Sequence, residues 1–186
     1  MNEVELIRRA QAGDRQSCAE LFRRHAEQAV RTAYAVTRDW ETAEDAVQEA
    51  FLRAFAALPS FRADQPFRPW LYRIVVREAL RLARRRQRLV PVAELPGETE
   101  MPSVESEALE NLRRRQIRAA VYALDERLRI PIILKYYVGL SEAEVAQVLG
   151  LPLSTVKSRL YEARRAIERQ VGPEMRDVPW QTGSGN

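Results

Sequence analysis

The side chains with the most chemical capacity in this 186-residue chain are its arginines. Of its 30 basic residues only Lys135 and Lys157 are lysines, and the chain has one histidine, His25, and one cysteine, Cys18. A guanidinium stays protonated and presents a planar fork of N–H donors, so arginine suits phosphate and cannot act as a general base. This inventory favours binding of a polyanion over catalysis.

Residues 141–170 contain the clearest functional pattern. Ser141 is placed to cap a short helix, Gly150 to end it, and Ser154 to cap a longer helix that follows. A short helix, a glycine-containing turn and a longer helix are typical of the helix-turn-helix motif. Helical periodicity predicts that four apolar residues of the longer helix face inward: Val156, Leu160, Ala163 and Ile167.

The opposite face of the longer helix carries side chains that can contact DNA. Those on its flanks suit phosphates, whereas Ser158, Glu162 and Arg165 at its centre have donors and acceptors for base edges. The expected DNA contacts are Ser154, Thr155, Lys157, Ser158, Arg159, Tyr161, Glu162 and Arg165. The alternative is an ordinary helical hairpin with a solvated basic face.

A second basic surface is predicted on a helix that begins near Pro69 and ends near Arg88. Its arginines recur every three or four residues, opposite an apolar stripe, so they share one face. Repulsion at this spacing costs roughly a few tenths of a kcal/mol per pair, and a phosphate backbone would relieve it. The arginines of this stripe are Arg73, Arg77, Arg81, Arg84 and Arg88. Two alternatives are a solvated face screened by salt and a face that touches anionic lipid.

The Pro-bounded loop before this helix contains two aromatic residues, Phe61 and Phe67, beside basic residues. Such rings can form a stacking platform for an unpaired base, and the alternative is that both belong to the core. Trp70 is expected in the core. His25 lies on the apolar side of its helix and is expected to be a buried structural histidine.

The sequence pattern of residues 41–58 predicts a helix, and the composition of its exposed face indicates a binding site for another protein. One side is apolar, and the other combines acidic and polar side chains with an exposed leucine, which is typical of a protein interface. The residues on this face are Asp45, Gln48, Glu49 and Leu52. Carboxylates at helical spacing can alternatively bind metal or do acid–base chemistry, but no histidine, cysteine or glycine-rich loop lies nearby. No metal or cofactor is therefore expected.

Charge and composition divide the chain into two helical parts. Residues 1–87 carry 16 arginines and 12 acids, residues 88–112 one arginine and six glutamates, and residues 113–171 twelve basic residues and six acids. This pattern predicts an all-α fold, with two small helical domains joined by a flexible acidic linker. The predicted segments are a first domain at 1–88, the linker at 89–105, a second domain at 106–171 and a flexible tail at 172–186.

The helical periodicity also places the individual elements. The predicted helices span about residues 3–12, 14–37, 42–58, 69–88, 106–124, 126–137, 141–149 and 154–170. No apolar run approaches the length of a membrane span, so no membrane insertion is expected. No signal-peptide pattern is visible at Met1–Gly13, which points to the cytoplasm.

Four segments of the chain resemble the bacterial extracytoplasmic-function (ECF) sigma factors, which are specificity subunits of RNA polymerase. They lie in the family's order and spacing and together span about residues 4–170. The first resembles the start of region 2, the second the clamp-binding signature, the third the promoter-melting helix, and the fourth region 4. They are Leu21–Ala26 with Thr32–Tyr34, then Ala43–Phe51, then Trp70–Ile74 with Arg84–Arg86, and finally Ala123–Gly150 with Thr155–Leu160 and Ala163–Arg165.

The resemblance implies partners and roles for each domain. Region 2 would bind the clamp helices of core RNA polymerase through the exposed face of residues 41–58, with Phe51 internal, while region 4 would meet the polymerase flap. The helix-turn-helix would read the minus-35 element of promoter DNA. The residues expected at the minus-10 element are Phe61, Arg62, Phe67, Arg73, Arg77, Arg81, Arg84 and Arg85. Control by a separate anti-sigma factor is also implied.

Three positions depart from the family's usual pattern. Arg77 stands where an asparagine is usual, Arg81 where an aspartate is frequent, and Ser154 where a glycine is common. Both arginines lie in the helix that reads and opens the minus-10 region, and they strengthen its attraction for phosphate.

The leading hypothesis is a transcription initiation factor without enzymatic activity of its own. A free-standing helix-turn-helix regulator that acts as a dimer explains residues 141–170, but it leaves Asp45, Glu49 and the arginine stripe without roles. A helical nuclease or metal enzyme requires a carboxylate cluster that the sequence does not assemble.

Overall fold

The computed structural model describes residues 2–62, 64–89 and 108–172, and within these ranges the chain forms helices and turns without a strand. The chain divides into two compact units, Met1–Glu98 and Thr99–Asn186. The predicted all-α fold with two small domains is confirmed. The predicted linker and tail, apart from Leu89 and Gly172, lie outside the described residues.

The first domain is built from helices that begin at capping side chains. Asn2, Asp14 and Asp39 each accept a backbone N–H from the first turn that follows, which satisfies a donor left open at a helix start. Because Asp39 supplies a cap, the third helix begins earlier than the predicted Thr42. The helices are α1 (Glu3–Gln11), α2 (Arg15–Thr37), α3 (Trp40–Ala57) and α4 (Phe67–Leu89), with a 3₁₀ turn at Leu58–Ser60.

Helices α2, α3 and α4 pack against one another, and α1 packs on α2. Alanines on these contact faces let the helices approach closely, and larger aliphatic side chains each contribute roughly 1.5–3 kcal/mol by leaving water. Fully buried residues of this core include Leu21, Ala29, Ala33, Ala43, Ala50, Leu71, Tyr72 and Val75. The packing fixes the rotation of α3 and α4 and so determines which of their side chains face solvent.

The second domain contains the predicted helix-turn-helix. Ser141 and Glu144 form a reciprocal capping box, in which the serine hydroxyl accepts from the Glu144 N–H at 3.2 Å and the glutamate carboxylate accepts from the Ser141 N–H at 2.7 Å. Gly150 ends the helix in the left-handed conformation, at φ 64°. The helices are α5 (Ala108–Tyr122), α6 (Glu126–Ile132), α7 (Glu142–Leu149) and α8 (Leu153–Val171), with a π-helical turn at Ile133–Tyr137.

The predicted N-cap of α8 is wrong. Pro152 occupies the N-cap position, and Ser154 lies within the first turn of the helix. Proline presets the backbone here, with φ −59° and ψ 144°, and it has no N–H that needs a partner. Ser154 therefore lies on the helix surface and does not cap the helix.

The predicted inward face of α8 is confirmed. Val156, Leu160, Ala163 and Ile167 are each at most 1% exposed, and α8 packs against α5, α6 and α7. This apolar stripe fixes the rotation of α8, so the opposite side of the helix is exposed to solvent. Among the described residues no helix is long and apolar enough to cross a membrane.

Candidate nucleic-acid and protein interfaces

The exposed face of α8 collects the residues that the sequence assigns to the minus-35 element. Thr155 and Arg159 are half-buried at its edge. The exposed members are Ser154, Lys157, Ser158, Tyr161, Glu162 and Arg165. They lie opposite the buried stripe, on a helix long enough to enter a major groove.

Two of the central residues on this face are held by neighbours. The Arg165 guanidinium donates to the Tyr161 hydroxyl at 3.2 Å, and its carbon lies 5.9 Å from the centre of the Tyr161 ring. Glu162 forms a 3.1 Å ion pair with Arg127 of α6. Arg127 is a residue that sequence analysis missed, because it lies 35 positions before its partner and in a different helix.

The arginine stripe of α4 is exposed as predicted. Arg73, Arg77 and Arg84 face solvent, together with the adjacent Arg85, and their helix buries Leu71, Val75 and Ala79 completely on the other side. Arg81 is also exposed, but its Nε donates to Glu78 at 2.7 Å. The Arg88 side chain lies outside the described part of the chain.

Arg86 is turned away from this stripe. It pairs with the Asp39 carboxylate and donates to the Thr42 hydroxyl at 2.9 Å, so it joins α4 to the start of α3. Burial is the largest influence on Asp39 and raises its pKa, but the hydrogen bonds from Thr42 and the charge of Arg86 together outweigh it and lower the pKa. Arg86 therefore has a structural role in joining α4 to α3.

The stacking platform expected at Phe61 and Phe67 is not present. The two side chains are 7% and 4% exposed and pack edge to face with their ring centroids 5.7 Å apart. Trp70, expected in the core, is half-buried and lies 4.7 Å from Phe61 and 5.4 Å from Phe67, centroid to centroid. Three adjacent aromatic rings bury more apolar surface by packing together than by facing water, so the two phenylalanines belong to the core.

The loop that begins at Phe61 is fastened to α1 by a glutamine. Gln11 Nε2 donates to the carbonyls of Leu58 at 3.0 Å and Phe61 at 2.6 Å. Within the loop, the exposed Arg62 forms a 2.8 Å ion pair with Asp64. No sequence pattern pointed to Gln11, since its partners are backbone atoms about fifty residues away.

His25 is a buried structural histidine, as the sequence predicts. The residue is 6% exposed, its ring lies 5.5 Å from that of Phe67, and its Nε2 is 2.9 Å from a carboxylate oxygen of Glu3. The hydrogen bond with His25 is the main reason that the pKa of Glu3 is lowered. The pair joins α1 to α2.

Helix α3 presents the acidic face that the sequence assigns to a protein partner. Asp45, Gln48 and Glu49 are exposed, and Leu52 is the most exposed large hydrophobic residue of the described chain at 67%. Phe51 is 3% exposed and belongs to the core, as expected. An exposed leucine beside carboxylates favours contact with a surface that is both apolar and basic.

Comparisons with known proteins match both domains. Residues 21–89 match the family model described as Sigma-70 region 2, and residues 114–167 match the one described as Sigma-70, region 4. The RNA polymerase sigma-H factor of Pseudomonas aeruginosa is 31% identical over 188 residues, which covers 95% of this chain and 97% of the relative. The ECF RNA polymerase sigma-E factor of Escherichia coli K12 is 33% identical over 195 residues, with the same coverage of each chain.

Solved structures give the same fold. CnrH, solved in complex with the cytosolic domain of CnrY, is 26% identical, with a TM-score of 0.67 over 90% of this chain and 95% of that one. The sigma factor RpoE of Bartonella quintana, solved with the anti-sigma factor NepR, is 23% identical, with a TM-score of 0.71 over 82% and 95%.

Proposed function

Because the chain belongs to the ECF RNA polymerase sigma factors, which direct transcription initiation, we propose that three helix faces carry its function: α3, α4 and α8. The chain binds core RNA polymerase, directs it to specific promoters and has no enzymatic activity of its own. Because promoter DNA and RNA polymerase are in the bacterial cytoplasm, the chain acts there.

The polymerase-binding surface is the exposed face of α3, formed by Asp45, Gln48, Glu49 and Leu52. Its side chains point to solvent because the other side of α3 is buried against α2 and α4. The clamp helices of core polymerase are the partner that the family resemblance implies. Carboxylates around an exposed leucine fit a basic partner surface with an apolar centre.

The two DNA-binding surfaces lie in different domains. The α4 arginines contact phosphates near the minus-10 element, where their positive charge also favours a strand that has lost its partner. The exposed face of α8 reads the minus-35 element from the major groove. A free-standing regulator would use α8 but would give α3 and α4 no partner.

An anti-sigma factor controls the chain. One structural neighbour, RpoE of Bartonella quintana, was solved with such a partner. A protein that covers the α3 face or the α8 face prevents one of the two contacts that promoter-specific initiation requires.

The observation that carries this proposal is the acidic face of α3, because a DNA-binding protein that acts alone has no use for it. Asp45→Arg combined with Glu49→Arg should weaken binding to core polymerase at least tenfold, or about 1.4 kcal/mol, because both charges then repel a basic partner. Competition with a labelled sigma factor for core polymerase measures this affinity.

A matched control makes the same charge change elsewhere. Glu5→Arg combined with Glu27→Arg replaces exposed acids of α1 and α2 and should leave core binding unchanged. If the α3 variant competes as well as the unmodified chain, the α3 face does not bind polymerase.

A further inference from the structure

Glu78 is the one acid among the arginines of α4, and it is almost completely buried. The residue is 7% exposed. A carboxylate taken out of water must be compensated by opposite charge and hydrogen bonds, or its burial would destabilise the domain. Two arginines compensate Glu78: Arg53 comes from α3, the helix that carries the acidic face, and Arg81 belongs to the arginine stripe of α4.

Each oxygen of the Glu78 carboxylate receives a different guanidinium. Oε1 lies 3.1 Å from Nε of Arg53, which comes from α3. Oε2 accepts from Nε of Arg81, which belongs to α4, at 2.7 Å. The carboxylate thus joins Arg53, which lies one turn after Glu49 on α3, to the arginine stripe of α4.

The contact between Glu78 and Arg53 affects Glu49 on the acidic face of α3. Arg53 lies one helical turn after Glu49, where an arginine would ordinarily pair with that glutamate. Its Nε is instead 4.0 Å from the Glu49 carboxylate, at the limit of an ion pair, and 3.1 Å from Glu78. Glu78 therefore competes with Glu49 for Arg53 and holds it more closely, which leaves the Glu49 carboxylate more available to a partner.

The hydrogen bond between Glu78 and Arg81 affects the arginine stripe of α4. Arg81 is an exposed member of the stripe, but its charge is balanced by Glu78 three residues earlier. A phosphate that approaches Arg81 must compete with a carboxylate that is already bound. The Glu78 carboxylate therefore offsets the charge of Arg81 locally, so Arg81 attracts phosphate less strongly than an arginine without a bound acid.

We propose that Glu78 is a positioning residue for both faces, which holds Arg53 away from Glu49 and restrains Arg81 from phosphate. This inference rests on the proposed function of the α3 and α4 faces. It assigns the buried acid a role in partner binding beyond packing the two helices together.

The first test is a double-mutant cycle on core binding with the full-length chain. Glu78→Gln keeps the side-chain shape but removes the charge that holds Arg53, which then pairs with Glu49 and lowers affinity for core polymerase about threefold, the effect of one exposed ion pair. In an Arg53→Ala background the same Glu78→Gln change should have no effect on core binding. An equal loss in both backgrounds would show that Glu78 acts only through packing.

The second test measures the salt dependence of promoter binding by the reconstituted holoenzyme. Glu78→Gln should make the slope of log affinity against log salt steeper by about one unit, because Arg81 gains a phosphate contact. Combining it with Arg81→Ala should remove this gain. A slope that does not change with Glu78→Gln would overturn the role of Glu78 at Arg81.

Two further variants complete the design. Glu27→Gln, on an exposed acid of α2 that pairs with Arg31, changes the net charge equally and should alter neither measurement. Glu78→Met fills the buried space without hydrogen-bonding groups and should reproduce both effects if Glu78→Gln is poorly folded. If the charge reversal at Asp45 and Glu49 leaves core binding intact, the proposed function fails. If that reversal weakens core binding but the double-mutant cycle shows no coupling between Glu78 and Arg53, only the role of Glu78 fails.

Discussion

Arg165 and Lys157 share the exposed face of α8 but lie in different surroundings. Arg165 is positioned by the Tyr161 hydroxyl, whereas Lys157 lies in the first turns of the helix, near where a phosphate backbone would run. A guanidinium held in one orientation can bind a guanine through two hydrogen bonds, and a flexible ammonium neutralises phosphate without regard to sequence.

Arg165→Ala should cost about 1–3 kcal/mol on the preferred promoter and relax selectivity at one base position of the minus-35 element. Lys157→Ala is the matched control and should weaken all promoter sequences alike. Selection from a promoter library with each holoenzyme measures both effects. Equal losses on every sequence for Arg165→Ala would mean that Arg165 contacts only phosphate.

The lowered pKa of Asp39 makes part of the protein's stability dependent on pH. Because the folded state binds the Asp39 proton more weakly than the unfolded chain, the carboxylate stabilises the fold at neutral pH, and this contribution is lost as pH falls through the acid range. Asp39→Asn keeps an acceptor for the Thr42 N–H but removes the charge that Arg86 requires.

We expect the free energy of unfolding to fall less between about pH 6 and pH 3 in Asp39→Asn than in the unmodified chain. Urea unfolding at several pH values measures this difference. Glu3 and Asp14, whose pKa values are also lowered, contribute equally in both proteins and cancel in the comparison. Parallel stability curves would show that the Asp39 charge does not stabilise the fold.

At the scale of the helix, the arginine stripe of α4 contains members that differ in availability. Arg73, Arg77 and Arg84 are exposed and contact phosphate in the proposed complex, whereas Arg86 is bound to Asp39 and Thr42. Each alanine replacement of the first three should make the salt slope of open-complex formation shallower by about one unit.

Arg86→Ala provides the control on the same helix. It should reduce stability, because it breaks the link between α3 and α4, yet leave the salt slope close to that of the unmodified chain. Measuring open-complex formation over a range of salt concentrations for all four variants separates the two effects. A slope unchanged by all three stripe replacements would favour a solvated or lipid-facing surface over DNA.

Periodicity predicted helices correctly because the buried side of a helix repeats apolar residues every three or four positions in the sequence. The inward face of α8, the outward acidic face of α3 and the burial of Phe51 all follow from spacings of three and four residues. The cap of α8 was mispredicted because Ser154 has a high intrinsic preference for the cap position, while the backbone of Pro152 decides where the helix begins.

Side-chain contacts between different helices produce no such repeating pattern in the sequence. Arg127 with Glu162, Arg53 with Glu78, and Gln11 with the Phe61 carbonyl each join elements that are distant in sequence. Which of many arginines meets a given acid depends on the three-dimensional packing. Phe61 and Phe67 were open to two interpretations for the same reason, since only the position of Trp70 shows that their faces are covered.

At the scale of the whole molecule, the proposed function gives each domain one DNA-binding surface and gives the first domain the polymerase-binding surface as well. On this proposal neither DNA-binding surface alone specifies a promoter, because α8 would recognise an upstream element and α4 would bind near the site where the strands separate. A chain with both surfaces should therefore select promoters by two elements at a fixed separation, and only when it is bound to core polymerase.

Run-off transcription on a promoter library is the most direct test of the claim that this chain gives core polymerase its promoter specificity. Core polymerase reconstituted with the chain should initiate from promoters that share two sequence elements at one spacing, and the α3 charge reversal at Asp45 and Glu49 should abolish these transcripts. Transcripts no more specific than those of core polymerase alone would contradict the assignment of this chain as a promoter-specificity factor.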